Sequence, residues 1–128
     1  MSKSIIQQKS FKFALEIIAL YKTLQNQKEY VLSKQLLRSG TSIGANVEEA
    51  SAGQSRRDFL AKMVIASKEA RETRYWLRLP QESGLAAVDV SDALKHVDEL
   101  VRILTAIVKT TASTPDNTSS NSRLNTQN

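Results

Sequence analysis

The chain has 128 residues, 41% hydrophobic and 24% charged, with a formal net charge of +5, which suits one packed domain and is too balanced for a wholly disordered chain. The absence of cysteine excludes disulfides, thiolate metal sites and cysteine nucleophiles, and a reducing cytoplasm is the expected location. A lone histidine, His96, excludes any site needing two imidazoles; no segment approaches the roughly 20 apolar residues of a membrane span, and Lys3, Lys9, Lys12 and Glu16 break any signal-peptide core.

Phe13, Ile17, Leu20 and Leu24 form the stripe of a first helix, supported by Ala14, Ile18 and Tyr21 and interrupted by the polar stretch from Gln25 to Glu29. Leu32, Leu36, Ile43, Val47 and Ala50 share the face of a second helix, running from about Tyr30 to Ala52. Within it lies RSGTSIGAN, where Gly40 and Gly44 stand one turn apart although each costs about 1 kcal/mol in a helix interior. A phosphate cradle would need a following Lys-Ser/Thr and a preceding strand, and both are missing. The small residues are therefore expected to admit another helix at close range, from the same chain or from a neighbouring subunit, with Asn46 bonding locally.

A third helix runs from Ser55 to Arg78, with Phe59, Met63, Ala66, Ala70, Thr73 and Leu77 as a bundle seam. Ser55 with Asp58 caps its start as a capping-box variant, and Pro80 and Gly84 are expected to end it. Leu94, Val97, Val101, Leu104 and Val108, widened by Leu100 and Ile107, define a fourth helix starting at Asp89 or Ser91. The expected fold is all-α, an antiparallel up-down four-helix bundle over residues 1–110, followed by a disordered polar tail at 111–128 whose two charges cancel.

At 100° per residue the third helix has two flanks besides its seam. One carries Arg71, Arg74 and Arg78, which a solvated face would explain. The other carries Ile65, Glu69, Glu72 and Trp76, and the tryptophan outside the seam points to a self-association surface. The alternative is that Trp76 covers the end of its own core near Pro80. Charge is uneven: residues 1–28 and 55–78 each carry +4, whereas 89–110 carries −1. This asymmetry gives a plausible nucleic-acid face. A di-iron centre would need E-x-x-H pairs, and His96 has Ala93 three residues before it. No cofactor, metal or catalytic residue is therefore expected, and Glu48, Glu49, Glu69 and Glu72 are read as salt-bridge partners of Arg38 or a lysine.

Two stretches, QLLRSGTSIGANVEEA and SRRDFLAKMVIASKEARETRYWLRL, together resemble the 23S ribosomal RNA intervening-sequence proteins, a family of small bacterial four-helix bundles. The resemblance rests on Arg38, Ser42, Ile43, Asn46 and Glu49, then Ser55, Asp58, Phe59 and Lys62, then Lys68, Glu69, Ala70, Glu72, Thr73, Tyr75, Trp76 and Leu77. Many members have glycine after the motif glutamate where this chain has Ala50, which moves the expected turn toward Gly53. The resemblance implies a homo-oligomer, a ring of five subunits being known in the family, and an association with structured RNA. A similar bundle serves as the accessory variability protein of diversity-generating retroelements, where a basic ring binds nucleic acid and a reverse transcriptase.

The resulting expectation is a non-enzymatic homo-oligomer, a homopentamer by the resemblance, that binds nucleic acid, with RNA rather than DNA as the expected ligand. Lys9, Lys12, Arg71, Arg74 and Arg78 are the candidate phosphate contacts. Arg38, Glu49, Glu69 and Glu72 form a polar network that holds the bundle or its subunit contacts, with Trp76 as anchor. The competing reading is a protein-interaction scaffold, such as a reverse-transcriptase partner, whose charge only maintains solubility.

Overall fold

A computed structural model describes residues 3–114, which form four helices: α1 (Ile5–Asn26), α2 (Val31–Ser51), α3 (Arg56–Ser83) and α4 (Ser91–Ser113). Side-chain contacts fix the topology. Lys3 reaches Glu48 and Gln25 reaches Ser33; Ser39 meets Thr73 and Glu49 meets Lys62; Arg74 meets Asp98 and Arg56 reaches the Thr111 carbonyl; Lys9 meets Glu99 and Gln27 meets Ala87. In every pair the numbers rise on one helix as they fall on the other, so neighbours are antiparallel. α1 and α3 each pack on both α2 and α4, and the backbones of the diagonal pairs do not approach closely.

The helix boundaries have local causes. At the start of α1, Ser4 and Gln7 form a reciprocal capping box that the sequence reading did not single out. Its end is a Schellman stop in which Lys28 donates to the Gln25 carbonyl and Glu29 to the Leu24 carbonyl, with Lys28 at φ 63°. Glu29 then turns its carboxylate onto the amides of Val31 and Ser33 and closes the start of α2. The side chain of Ser55 accepts from the Asp58 amide at 3.1 Å, and α3 begins behind it. Gln27 exchanges two hydrogen bonds with the backbone of Ala87, which ties the long α3–α4 connection to the α1–α2 turn.

Two expected boundaries are corrected. Pro80 does not end α3: the helix continues to Ser83 and stops at Gly84, whose φ of 68° is open to glycine. Proline is tolerated there because only the last turn follows it and its ring is buried in the core. The boundary at residue 111 also moves, since α4 extends through Thr111, Ala112 and Ser113; the rest of the expected tail, 115–128, lies outside the described residues.

Ile17, Leu36, Ile43, Met63, Leu77 and Leu104 are among the fully buried side chains of one continuous core. Its tightest point is between α1 and α2. A Cβ on Gly40 would stand 2.8 Å from Ile17 Cγ1 and 2.9 Å from Cγ2, and one on Gly44 would stand 3.3 Å from the Ser10 carbonyl oxygen. The helix admitted by the small residues is therefore α1 of the same chain, while Asn46 Nδ2 donates to the Ser42 carbonyl at 2.9 Å. Thr73 and Ser39 are buried at the α2–α3 seam and satisfy one another: Thr73 Oγ1 and Ser39 Oγ are 2.9 Å apart, and each also donates to, or shares its proton with, a carbonyl one turn back.

Gly40→Ala sets an overpacking cost of about 1–3 kcal/mol against a propensity gain of about 1 kcal/mol, and a net loss of about 1 kcal/mol is expected in urea denaturation. Lys28→Gly, which relieves the left-handed backbone cost, raises stability by about 1 kcal/mol in the same assay.

Candidate nucleic-acid interface

On α4, Lys95, Arg102 and Lys109 recur every seven residues and so form one line along the helix. The line lies beside Asp98 and Thr105, and both of these face α3: Arg74 Nη1 stands 3.4 Å from Asp98 Oδ1, and Arg71 Nη2 donates to Thr105 Oγ1 at 2.8 Å. Lys68 and Arg71 border a depression of about 310 Å³ floored by Val64, Ser67 and Val108. The α3–α4 face thus carries Lys68, Arg71, Lys95, Arg102 and Lys109, and among the described residues none of the five has a carboxylate within 4.0 Å. Two acidic side chains of α4 are engaged elsewhere, Glu99 by Lys9 of α1 and Asp98 by Arg74, and Asp89, just before the helix, bonds Ser91. Hydrogen bonds from Ser91 hold the Asp89 carboxyl below its ordinary range.

The five candidate phosphate contacts are not brought to one place. α1 and α3 are diagonal, so Lys9 and Lys12 stand on the far side of α4 from Arg71, Arg74 and Arg78. Lys9 is paired with Glu99 at 3.2 Å, Arg74 with Asp98, and Arg78 with Glu82 at 2.9 Å on its own helix, which raises the guanidinium's affinity for its proton. Lys9 and Lys12 instead border an α1–α4 cleft of about 370 Å³ with Phe13 and Leu100, where His96 Nδ1 meets Glu16 at 2.8 Å. Lys95, Arg102 and Lys109 were not singled out because residues 89–110 were counted as a whole and came out acidic. The seven-residue spacing of its cations was the available signal.

On the opposite flank of α3, Arg38 of α2 reaches both Glu72 and Glu69, the latter at 3.4 Å. Trp76 Nε1 donates to Glu72 Oε2 at 2.9 Å, and the indole packs against the bundle core while stacking edge-on with Tyr75. Arg38, Glu69, Glu72 and Trp76 therefore form one cluster. Glu49 is not in it; it pairs with Lys62 at 2.7 Å, nearer the other end of the α2–α3 groove. The Trp76 hydrogen bond, followed by the Arg38 guanidinium, holds the Glu72 carboxyl below its ordinary value, against the opposing effect of burial. Among the described residues no three His, Asp or Glu side chains gather as a metal site, and no helix is long and apolar enough to cross a membrane.

Because its folded pKa is depressed, Glu72 adds stability that is fully present above the ordinary carboxylate value of 4.5 and is lost as pH falls through the lower folded value. Glu72→Gln is accordingly expected to lower the melting temperature at pH 7 by roughly 2–5 °C. The gap to the parent should close as the scan is repeated at decreasing pH below 4.5.

Residues 2–106 match the family model described as 23S rRNA-intervening sequence protein. Among solved structures, the chain is similar to a protein of unknown function from the S23 ribosomal protein family of Bacteroides thetaiotaomicron VPI-5482. The two share 47% identity at a TM-score of 0.76, over 82% of this chain and 99% of the other. A comparison with curated proteins gives no match.

Proposed function

The chain belongs to the 23S rRNA-intervening sequence protein family, and from that membership we propose that it is a non-enzymatic, homo-oligomeric protein that binds structured RNA on its α3–α4 face. The observation that carries the reading is the row of cations without carboxylate partners, Lys68, Arg71, Lys95, Arg102 and Lys109. Lys95 and Lys109 are separated by about 21 Å along α4, from the 1.5 Å rise per residue, long enough to follow several successive phosphates. Such a row releases counterions from a phosphate backbone and does so without reading sequence. Tyr75 is the one exposed aromatic of α3, so provision for stacking on unpaired bases is slight, and helical RNA recognised by shape and charge is the fitting ligand.

Self-association through the α2–α3 flank, in the ring of five copies that the family resemblance implies, repeats the basic face and multiplies its field. Ile65 supports this reading: it is 38% exposed beside the Arg38–Glu72–Trp76 cluster, where an apolar side chain has nothing to cover it in the single copy. Arg38, Glu69 and Glu72 then hold the shape of the contact, and Trp76 stiffens it from within. A cytoplasmic location accords with an RNA ligand.

Anisotropy of a labelled RNA hairpin, titrated at several salt concentrations with light scattering on the same samples, tests the reading. Affinity should fall linearly in log–log form with salt, and Arg102→Ala and Lys109→Ala should each lower the slope by about one. Lys9→Ala, on the far side of α4, should leave it nearly unchanged. Absence of binding at low salt by an intact oligomer refutes the RNA ligand and favours a scaffold role.

A further inference from the structure

Along α3 the residues Val64, Lys68, Arg71, Tyr75, Arg78 and Glu82 follow one another at steps of four, three, four, three and four, so they share one ridge, and all six are exposed. Tyr75 therefore stands between two cations without carboxylate partners, Lys68 and Arg71, and the Arg78–Glu82 pair. It is 54% exposed, an aromatic ring left in water. The ring is nonetheless held in place. It meets Trp76 edge-on, with 5.3 Å between centroids and 70° between planes, and Trp76 is fixed in turn by its hydrogen bond to Glu72 and by the core behind it.

Beside Tyr75 lies a shallow depression of about 300 Å³ bordered by Arg78, Leu79, Glu82 and Ser83. Arg78 Nε donates to Glu82 Oε2 at 2.9 Å, and among the described residues neither the Nη groups of Arg78 nor Oε1 of Glu82 has a further partner. A flat ring stacked on Tyr75 would thus meet, at its edge, a carboxylate that accepts and a guanidinium that donates. The depression adjoins the basic face. Arg74 reaches Asp98, so in this antiparallel pair the next turn of α3, at Arg78, is level with the turn of α4 that carries Lys95. Of the other carboxylates near this end, Glu72 is taken by Arg38 and Trp76, Asp98 by Arg74, and Asp92 lies in the first turn of α4, beyond Lys95.

We propose that this depression takes one unpaired guanine base at the end of an RNA helix lying on the α3–α4 face. The base stacks on Tyr75, Glu82 accepts from its N1–H and 2-amino groups, Arg78 donates to its O6, and Lys68 and Arg71 hold the phosphates that lead up to it. The inference rests on the RNA-binding reading and specifies which RNA. Guanine is selected by its pattern of donors: its Watson–Crick edge sets two N–H groups side by side, with an acceptor next to them, and a carboxylate accepts from both. Adenine turns the acceptor N1 toward the same carboxylate, and two acceptors repel. That edge is free only outside a duplex, and a single aromatic platform suits one base and not a run of them.

Anisotropy on the full chain, with labelled RNA hairpins of one sequence that end blunt or in a single unpaired guanosine, inosine or adenosine at the 5′ or the 3′ end, tests this. At one end the guanosine hairpin should bind about tenfold more tightly than the blunt one. Inosine, which lacks the 2-amino group, should gain less, and adenosine least. Tyr75→Ala should cancel the gain while leaving the affinity for the blunt hairpin and its salt slope as in the parent; Tyr75→Phe should keep it. Glu82→Gln should narrow the preference for guanosine over adenosine. Both positions are exposed, and circular dichroism checks that helicity is kept. Equal affinity for blunt and guanosine-ended hairpins overturns the inference and leaves the RNA-binding reading standing, as does a gain that survives Tyr75→Ala. A gain equal for all three bases overturns the selection of guanine by Glu82 and Arg78. If no hairpin binds at low salt, both readings fall.

Discussion

The close approach of α1 to α2 governs the rest of the bundle. Gly40 has no Cβ, so Ile17 descends against the α2 backbone, and Gly44 does the same for the Ser10 carbonyl one turn on. The cost of two glycines within a helix is offset by dispersion contacts that a larger residue would push apart. With that pair of axes fixed, Leu36, Ile43 and Val47 are aimed at the opposite seam, where α3 closes over them. The Thr73–Ser39 hydroxyl pair favours the register there, since a shift of either helix by one turn would break the bond between them and leave each with only its own helix carbonyl.

The same geometry sorts the charges. α4, like α2, touches both basic helices, and two of its acidic residues divide between them. Glu99 goes to Lys9 on one side and Asp98 to Arg74 on the other, which leaves Lys95, Arg102 and Lys109 uncompensated along the line beside α3. A helix that is neutral in sum therefore contributes a row of three cations with no carboxylate within 4.0 Å among the described residues. Exposed ion pairs of this kind contribute little to stability, so their consequence is chiefly where the residual positive potential emerges.

Around α2 the surface has another character. Phe11 and Leu15 are exposed on α1 and Ile65 on α3, while Arg38 of α2 reaches across to Glu69 and Glu72. The Arg38–Glu72–Trp76 cluster and the row of α4 cations thus occupy different sides of one bundle. The Arg38–Glu72–Trp76 cluster links these levels, because the indole that fills the end of the core also fixes the carboxylate on its surface.

Much of the fold was legible in the sequence, because amphipathic periodicity is a local property. The stripes through Phe13, Leu36, Met63 and Val97 placed four helices, and the paucity of glycine and proline excluded interruptions within them. The end of α3 was misplaced because proline costs a helix little in its last turn when its ring is buried, and burial is not a local property. The small residues at Gly40 and Gly44 announced a close approach without saying by which helix. For the candidate interface the limit was sharper. Net charge per helix located basic segments, but which cations survive pairing depends on which carboxylate stands across each groove. Lys9 and Arg74 look as free in the sequence as Arg71 and Lys109; only the packing of α4 between α1 and α3 separates them, since an ion pair is decided by a distance of a few ångströms between residues 24 to 90 positions apart.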